Sequence, residues 1–125
     1  MAQTFDENKP IFIQIKEKIA DQIVKKQLIE DEQIPSTTQM VQFYKVNHIT
    51  ITKGINLLVD DGILYKKRGI GTFVEKGARH ALLEKRKEEF IDRYVLPMVQ
   101  EANKLELTDE ELGHVIKKVK EGESI

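Results

Sequence analysis

The sequence predicts a mainly α-helical chain that carries one small β-hairpin, and three observations predict it. Apolar residues recur at helical spacing through most of the chain. Two of these stretches open on a Ser or Thr followed three residues later by Gln or Glu, the pattern in which side chain and backbone cap a helix start reciprocally. Just past the middle of the chain, two short β-prone runs flank a basic turn that contains glycines.

Pro10 opens the first helix, where a missing N–H costs nothing, and Phe12, Ile15, Ile19 and Ile23 form its stripe. Residues 27–34, rich in acids and amides, read as a loop. Ser36 and Gln39 then make a capping box, and Met40, Val41 and Tyr44 give the second helix a short apolar face. Lys45, Val46 and Asn47 form a tight turn, with Asn47 capping the next helix. That third helix runs from about His48 to Asp61. Ile51, Gly54, Ile55 and Leu58 share one face, where Gly54 lets another backbone come close. His48, Ile49, Thr52, Lys53 and Asn56 share the opposite face, and Gly62 ends the helix. Ile63 to Tyr65 and Thr72 to Val74 are the two hairpin runs around Lys66-Lys67-Arg68-Gly69-Ile70-Gly71.

From Ala78 to Asn103 the pattern predicts one long helix with Leu83, Phe90, Tyr94, Met98 and Ala102 roughly in line and a kink at Pro97. Thr108 and Glu111 form the second capping box, followed by Leu112, Val115, Ile116 and Val119 on one stripe. Gly77 breaks the pattern between Glu75 and Ala78. The expected division is therefore a helix-turn-helix domain with a hairpin over residues 1–76 and a two-helix tail over residues 77–125.

Composition narrows the function. At 125 residues the chain holds one ordinary domain, or a small one with an appendage. With 40% hydrophobic and 33% charged residues it reads as globular rather than disordered. The first ten residues do not read as a secretory signal, no apolar run reaches a membrane span, and there is no cysteine for a disulfide, a thiolate zinc site or a thiol nucleophile. The expected compartment is the cytoplasm, with no membrane partner and no cofactor. The net charge of −1 gives no overall basic field. Residues 45–76 nevertheless hold six Lys or Arg against three Asp or Glu, so positive charge gathers where the motifs lie.

Two short helices joined by a tight turn, the second apolar on one side and polar on the other, fit a helix-turn-helix. DNA calls for this shape because the major groove admits one helix, whose polar face meets base edges while its apolar face docks on a scaffold. His48, Thr52, Lys53 and Asn56 are the candidate base readers. Lys53, Lys66, Lys67 and Arg68 are the candidate phosphate contacts, and Gly69 and Gly71 would let the turn approach the sugar-phosphate chain. The hairpin makes the domain a winged helix-turn-helix.

The run PIFIQIKEKIADQI, then IPSTTQMVQFYKVNHITITKGINLLVDDGILYKKRGIGTFV, resembles the N-terminal domain of the GntR family of bacterial regulators. The likeness covers roughly residues 9–75, and GINLLVDDGIL followed by RGIGTFV is specific in combination. The short helical tail resembles the YtrA subfamily, which implies a homodimer held by residues 78–120, with Leu83, Phe90, Tyr94, Met98, Leu112 and Ile116 at its interface. The resemblance implies a regulator of transcription, a repressor on a palindromic operator in double-stranded DNA. Ser36, Thr50, Gly69 and Gly71 match the family pattern. Thr37 and Thr38 stand where it has a glutamate-arginine pair, Asn47 and His48 where it has Ser-Arg, and Thr52, beside Lys53, where it has arginine. These departures bear on operator sequence and affinity rather than on fold. Thr38 and Asn47 join the candidate DNA contacts by position.

Each candidate has a plainer reading beside it. His48 is also an ordinary surface histidine, and the Lys66–Arg68 run an ordinary solvated turn. Ser36 caps a helix and has no basic neighbour to activate it as a nucleophile. Gly69-Ile70-Gly71 is half of a dinucleotide fingerprint with no helix behind it. His80 and His114 have no ligand spacing between them. With neither a nucleophile–base set nor a metal cluster, the chain is not expected to be an enzyme. The alternative to DNA is a protein-interaction module on the same fold, which would not need the charge at Lys53 and Lys66–Arg68. Operator sequence, regulated genes and the identity of any small-molecule effector are not legible at this level.

Overall fold

A computed structural model describes residues 5–122. The first four and last three residues of the two expected segments, 1–76 and 77–125, lie outside the described residues. The element order is α1 (Ile11–Val24), α2 (Thr37–Tyr44), α3 (His48–Asp60), β1 (Leu64–Lys67), β2 (Gly71–Val74), α4 (Ala78–Phe90), a π-helical turn (Ile91–Val95), α5 (Leu96–Lys104) and α6 (Asp109–Lys120). The chain divides into two compact units, residues 1–84 and 85–125.

The first unit holds the core. Helix α1 buries Ile15, Ile19 and Ile23 of its expected stripe together with Ala20, while Phe12 is half-buried, and α3 buries the expected Ile51, Gly54, Ile55 and Leu58. The two helices pack closely because Gly54 has no side chain. A Cβ there would sit 2.9 Å from the Phe12 carbonyl oxygen and 3.0 Å from Ile15 Cγ2. Met40 and Tyr44 of α2, Ile63, Leu64 and Val74 complete the cluster. Lys16 of α1 adds an ion pair to Asp61 at the end of α3, 3.1 Å apart. Gly62 closes α3 with φ +76°, its N–H donating to the Val59 carbonyl and that of Ile63 to the Leu58 carbonyl, a Schellman turn that a left-handed glycine makes easily.

β1 and β2 pair antiparallel with Leu64 opposite Val74, Tyr65 opposite Phe73, Lys66 opposite Thr72 and Lys67 opposite Gly71. Lys66 and Lys67 thus belong to a strand, and the turn itself is Arg68, Gly69 and Ile70. The segment read as a loop does more than connect. Asp31 N–H donates to the Val74 carbonyl, Val74 N–H to Glu32 and Ile34 N–H to Thr72, and Gln33 bridges Phe73. These bonds hold the segment against β2 through a single bridge at Gln33, between the buried Leu28 and Ile34.

The unit runs past the expected limit at residue 76, because Ala78 and Leu82 from the start of α4 are buried in its core. Ahead of Pro97 the expected disturbance takes the form of the π turn, with Leu96 N–H donating to Ile91 five residues back. Proline lacks an N–H and its ring crowds the carbonyl four residues earlier, here Arg93, so a wider turn relieves the conflict. In the second unit α5 ends in another Schellman turn, with Glu106 left-handed at φ 58° and Leu107 N–H donating to Ala102. Thr108 then caps α6 with the expected box, accepting from Glu111 N–H while the Glu111 carboxylate accepts from Thr108 N–H. Among the described residues of this unit only Ala102 is buried. No helix of the described residues is long and apolar enough to cross a membrane.

Candidate nucleic-acid interface

The helix-turn-helix is set by its caps. Ser36 Oγ accepts from Gln39 N–H at 3.1 Å, and Gln39 Oε1 accepts from Ser36 N–H at 2.8 Å. Lys45 ends α2 in the left-handed region at φ 60°, and Asn47 Oδ1 accepts from Thr50 N–H at 2.8 Å to start α3. Ser36 and Asn47, both candidate DNA contacts, therefore already serve as caps. Thr38 is exposed on α2, and Thr50 is half-buried behind its cap.

α3 turns its polar face outward. His48 and Lys53 are exposed, and Thr52 and Asn56 are half-buried. Thr52 Oγ1 and His48 Nδ1 are 3.5 Å apart, a long contact. The Lys53 ammonium stands 4.4 Å from the centre of the Phe12 ring, a cation–π placement that holds the charge near the start of α1. Asn56 Oδ1 accepts a 2.5 Å hydrogen bond from Lys66 Nζ. That bond ties the hairpin to α3, so the two candidate surfaces are one continuous face. The sequence placed both residues among the candidates without pairing them.

On the hairpin, Lys67 and Arg68 are exposed. Lys67 Nζ lies 4.7 Å from the Phe73 ring centre and 5.9 Å from that of Tyr65, whose rings stack 5.6 Å apart. Gly69 turns the chain at φ +76° into open space. Gly71 has a use inside the protein: a side chain there would collide with the Gln33 amide, whose nitrogen donates to the Ile70 carbonyl at 3.0 Å. Tyr65 donates to Asp31 at 2.9 Å, and this hydrogen bond to the carboxylate holds its phenol above the usual tyrosine pKa. Gln33 and Asp31 thus brace the hairpin from the segment ahead of α2, and sequence reasoning missed both. Their only signal is a pair of polar residues just before the buried Ile34.

Most of the proposed interface residues of the second unit are exposed. Phe90, Tyr94, Met98 and Ile116 are exposed and Leu112 is half-exposed. Phe90 and Tyr94 lie with ring centres 6.0 Å apart. Leu83, at the end of the first unit, is half-exposed, while its neighbour Leu82 takes the buried position.

The family model for bacterial regulatory proteins of the gntR family matches residues 13–74. The HTH-type transcriptional regulator YhcF of Bacillus subtilis (strain 168) is 31% identical over 122 residues, spanning 98% of this chain and 99% of that protein. The chain belongs to the GntR family. It is a DNA-binding transcriptional regulator, of a family that regulates transcription rather than catalyses reactions. A crystallised GntR-family regulator from Bacteroides thetaiotaomicron superposes with a TM-score of 0.75 at 29% identity, over 89% of this chain and 96% of that one. The DNA-binding domain of AraR, crystallised with its operator ORX1, superposes at 0.53 with 35% identity, over 59% of this chain and 90% of that one. The GntR winged-helix fold is thus shared along the first unit with a domain seen on DNA, and along most of the chain with a family member.

Proposed function

We propose that this GntR-family protein is a homodimeric repressor of the YtrA-like type, acting in the cytoplasm on a palindromic operator. The observation that carries the proposal is the second unit, in which apolar side chains from the end of α4 through α6 are largely exposed. Phe90 is 56% exposed and Tyr94 60%. Two such helices cannot bury both stripes alone, and pairing with a second copy about a two-fold axis would cover them. Burial of Phe90, Tyr94 and Met98 would contribute about 1.5–3 kcal/mol each.

Specificity argues in the same direction. One winged helix reads only a few base pairs, so two copies on half-sites about one helical turn apart supply what one lacks. In this reading the outward face of α3 enters the major groove, with His48 and Thr52 toward base edges. Lys53, Lys66, Lys67 and Arg68 meet phosphates, with Ser36, Thr38, Asn47 and Thr50 close by at the helix starts. Gly69 and Gly71 shape the wing tip. Repression needs nothing beyond binding, since a dimer seated on a promoter excludes polymerase. Footprinting the full-length protein on the DNA upstream of its own gene is the test. Two protected half-sites related by inversion are expected, and protection of a single unrepeated site would contradict the reading.

A further inference from the structure

Ile49 is 76% exposed, more than any other large hydrophobic side chain among the described residues. It is the second residue of α3, near the end of a reading helix that meets base edges. At about 100° per residue, the buried positions 51, 54, 55 and 58 centre on one direction of the helix. Ile49 points almost diametrically away from that direction, while His48 and Thr52 lie toward the margin of the outward face. Lys53 and Asn56 flank Ile49 at the centre, but both are engaged within the protein, Lys53 over the Phe12 ring and Asn56 with Lys66. The middle of the reading face is therefore an uncovered hydrocarbon group with no donor or acceptor.

Such a group matches one feature of the major groove, the C5-methyl of thymine, the one protruding apolar group among hydrogen-bond donors and acceptors there. We infer that Ile49 is a specificity-determining residue, packing on a thymine methyl in each half-site. The inference rests on the reading that α3 enters the major groove. It also gives the chain a base contact that does not depend on the arginines its sequence lacks.

The test uses the full-length protein and a duplex that it selects from a random pool. Each thymine of that duplex is replaced in turn by deoxyuridine, which pairs identically and lacks only the methyl. Wild-type affinity should fall about fourfold per half-site at one thymine, on the order of 15-fold when both half-sites are changed, the loss of one buried methyl in each. Ile49→Ala, which removes an exposed side chain and should melt as the wild type does, should bind the unmodified duplex more weakly and be indifferent to uracil at that thymine. Equal uracil sensitivity in both proteins, or a wild-type profile with no sensitive thymine, would overturn the inference while leaving operator binding intact. A wild-type chain that selects no sequence at all would overturn the operator reading, and this inference with it.

Discussion

Helices α3 and α6 begin alike and end differently. Each starts at a polar cap, Asn47 or Thr108, and each gathers its apolar residues on one side. Helix α3 buries Ile51, Gly54, Ile55 and Leu58 in a core that reaches from Ile15 to Leu82, whereas α6 buries none of its residues. What α6 has instead is local: a complete capping box, Asp109, Glu110 and Glu111 in the first turn, and Lys117, Lys118 and Lys120 in the last. Acids and bases so placed complement the helix dipole at about 0.3–1 kcal/mol each. An isolated helix of this length is still marginal in water. The contrast is between a first unit fixed by tertiary packing and a second whose α6 is set up by local chemistry and buries none of its residues.

The comparison is broken most sharply at Leu58, which is fully buried. Leu58→Ala should cost the first unit about 2–5 kcal/mol, read as a lower denaturant midpoint, because it opens a cavity where α1 and α3 meet. A midpoint close to that of the wild type would mean that the core is not what holds α3. Phe90→Asp comes next. It should leave the melting of the first unit unchanged, yet abolish self-association and with it tight operator binding in the full chain. Retained operator affinity in that variant would remove the tail from the account.

The two capping boxes sharpen the comparison at smaller scale. Ser36→Ala and Thr108→Ala should each cost about 1 kcal/mol of local helix stability. The first should appear as a lower melting midpoint at any protein concentration. The second should weaken association, so that its effect shrinks as concentration rises. Identical concentration dependence would erase the distinction between the units. The smallest effect belongs to Lys67, exposed on the wing. Lys67→Ala should weaken all duplexes alike and flatten the plot of log affinity against log salt by about 0.9 for each phosphate that the side chain neutralises. An unchanged slope would release Lys67 from the candidate interface.

Much of the fold was legible because it rests on local chemistry. Both capping boxes, the Asn47 cap, the Gly62 terminus and the close approach at Gly54 each depend on residue types at fixed spacings. The pairing of residues 31–34 with β2 was not legible, since its bonds are main-chain bonds and the side chains of the segment show no alternation. The burial of Leu82 was not legible, because the seating of the first turns of α4 on the core sets their phase. In the interface, the outward face of α3 could be read from the core stripe opposite it. The Lys66–Asn56 bond could not, because it joins a strand to a helix across a turn whose geometry the sequence does not specify. The exposure of Ile49 was in view as a position on the polar face, but only the structure shows how fully that side chain is left uncovered.

Sedimentation equilibrium of the wild-type chain at micromolar concentrations tests the central claim most directly. One chain has a mass of 14.5 kDa. The account predicts a species of twice that mass, which Phe90→Asp converts to the single-chain mass. A wild-type monomer at tens of micromolar that still binds a palindromic duplex tightly would contradict it.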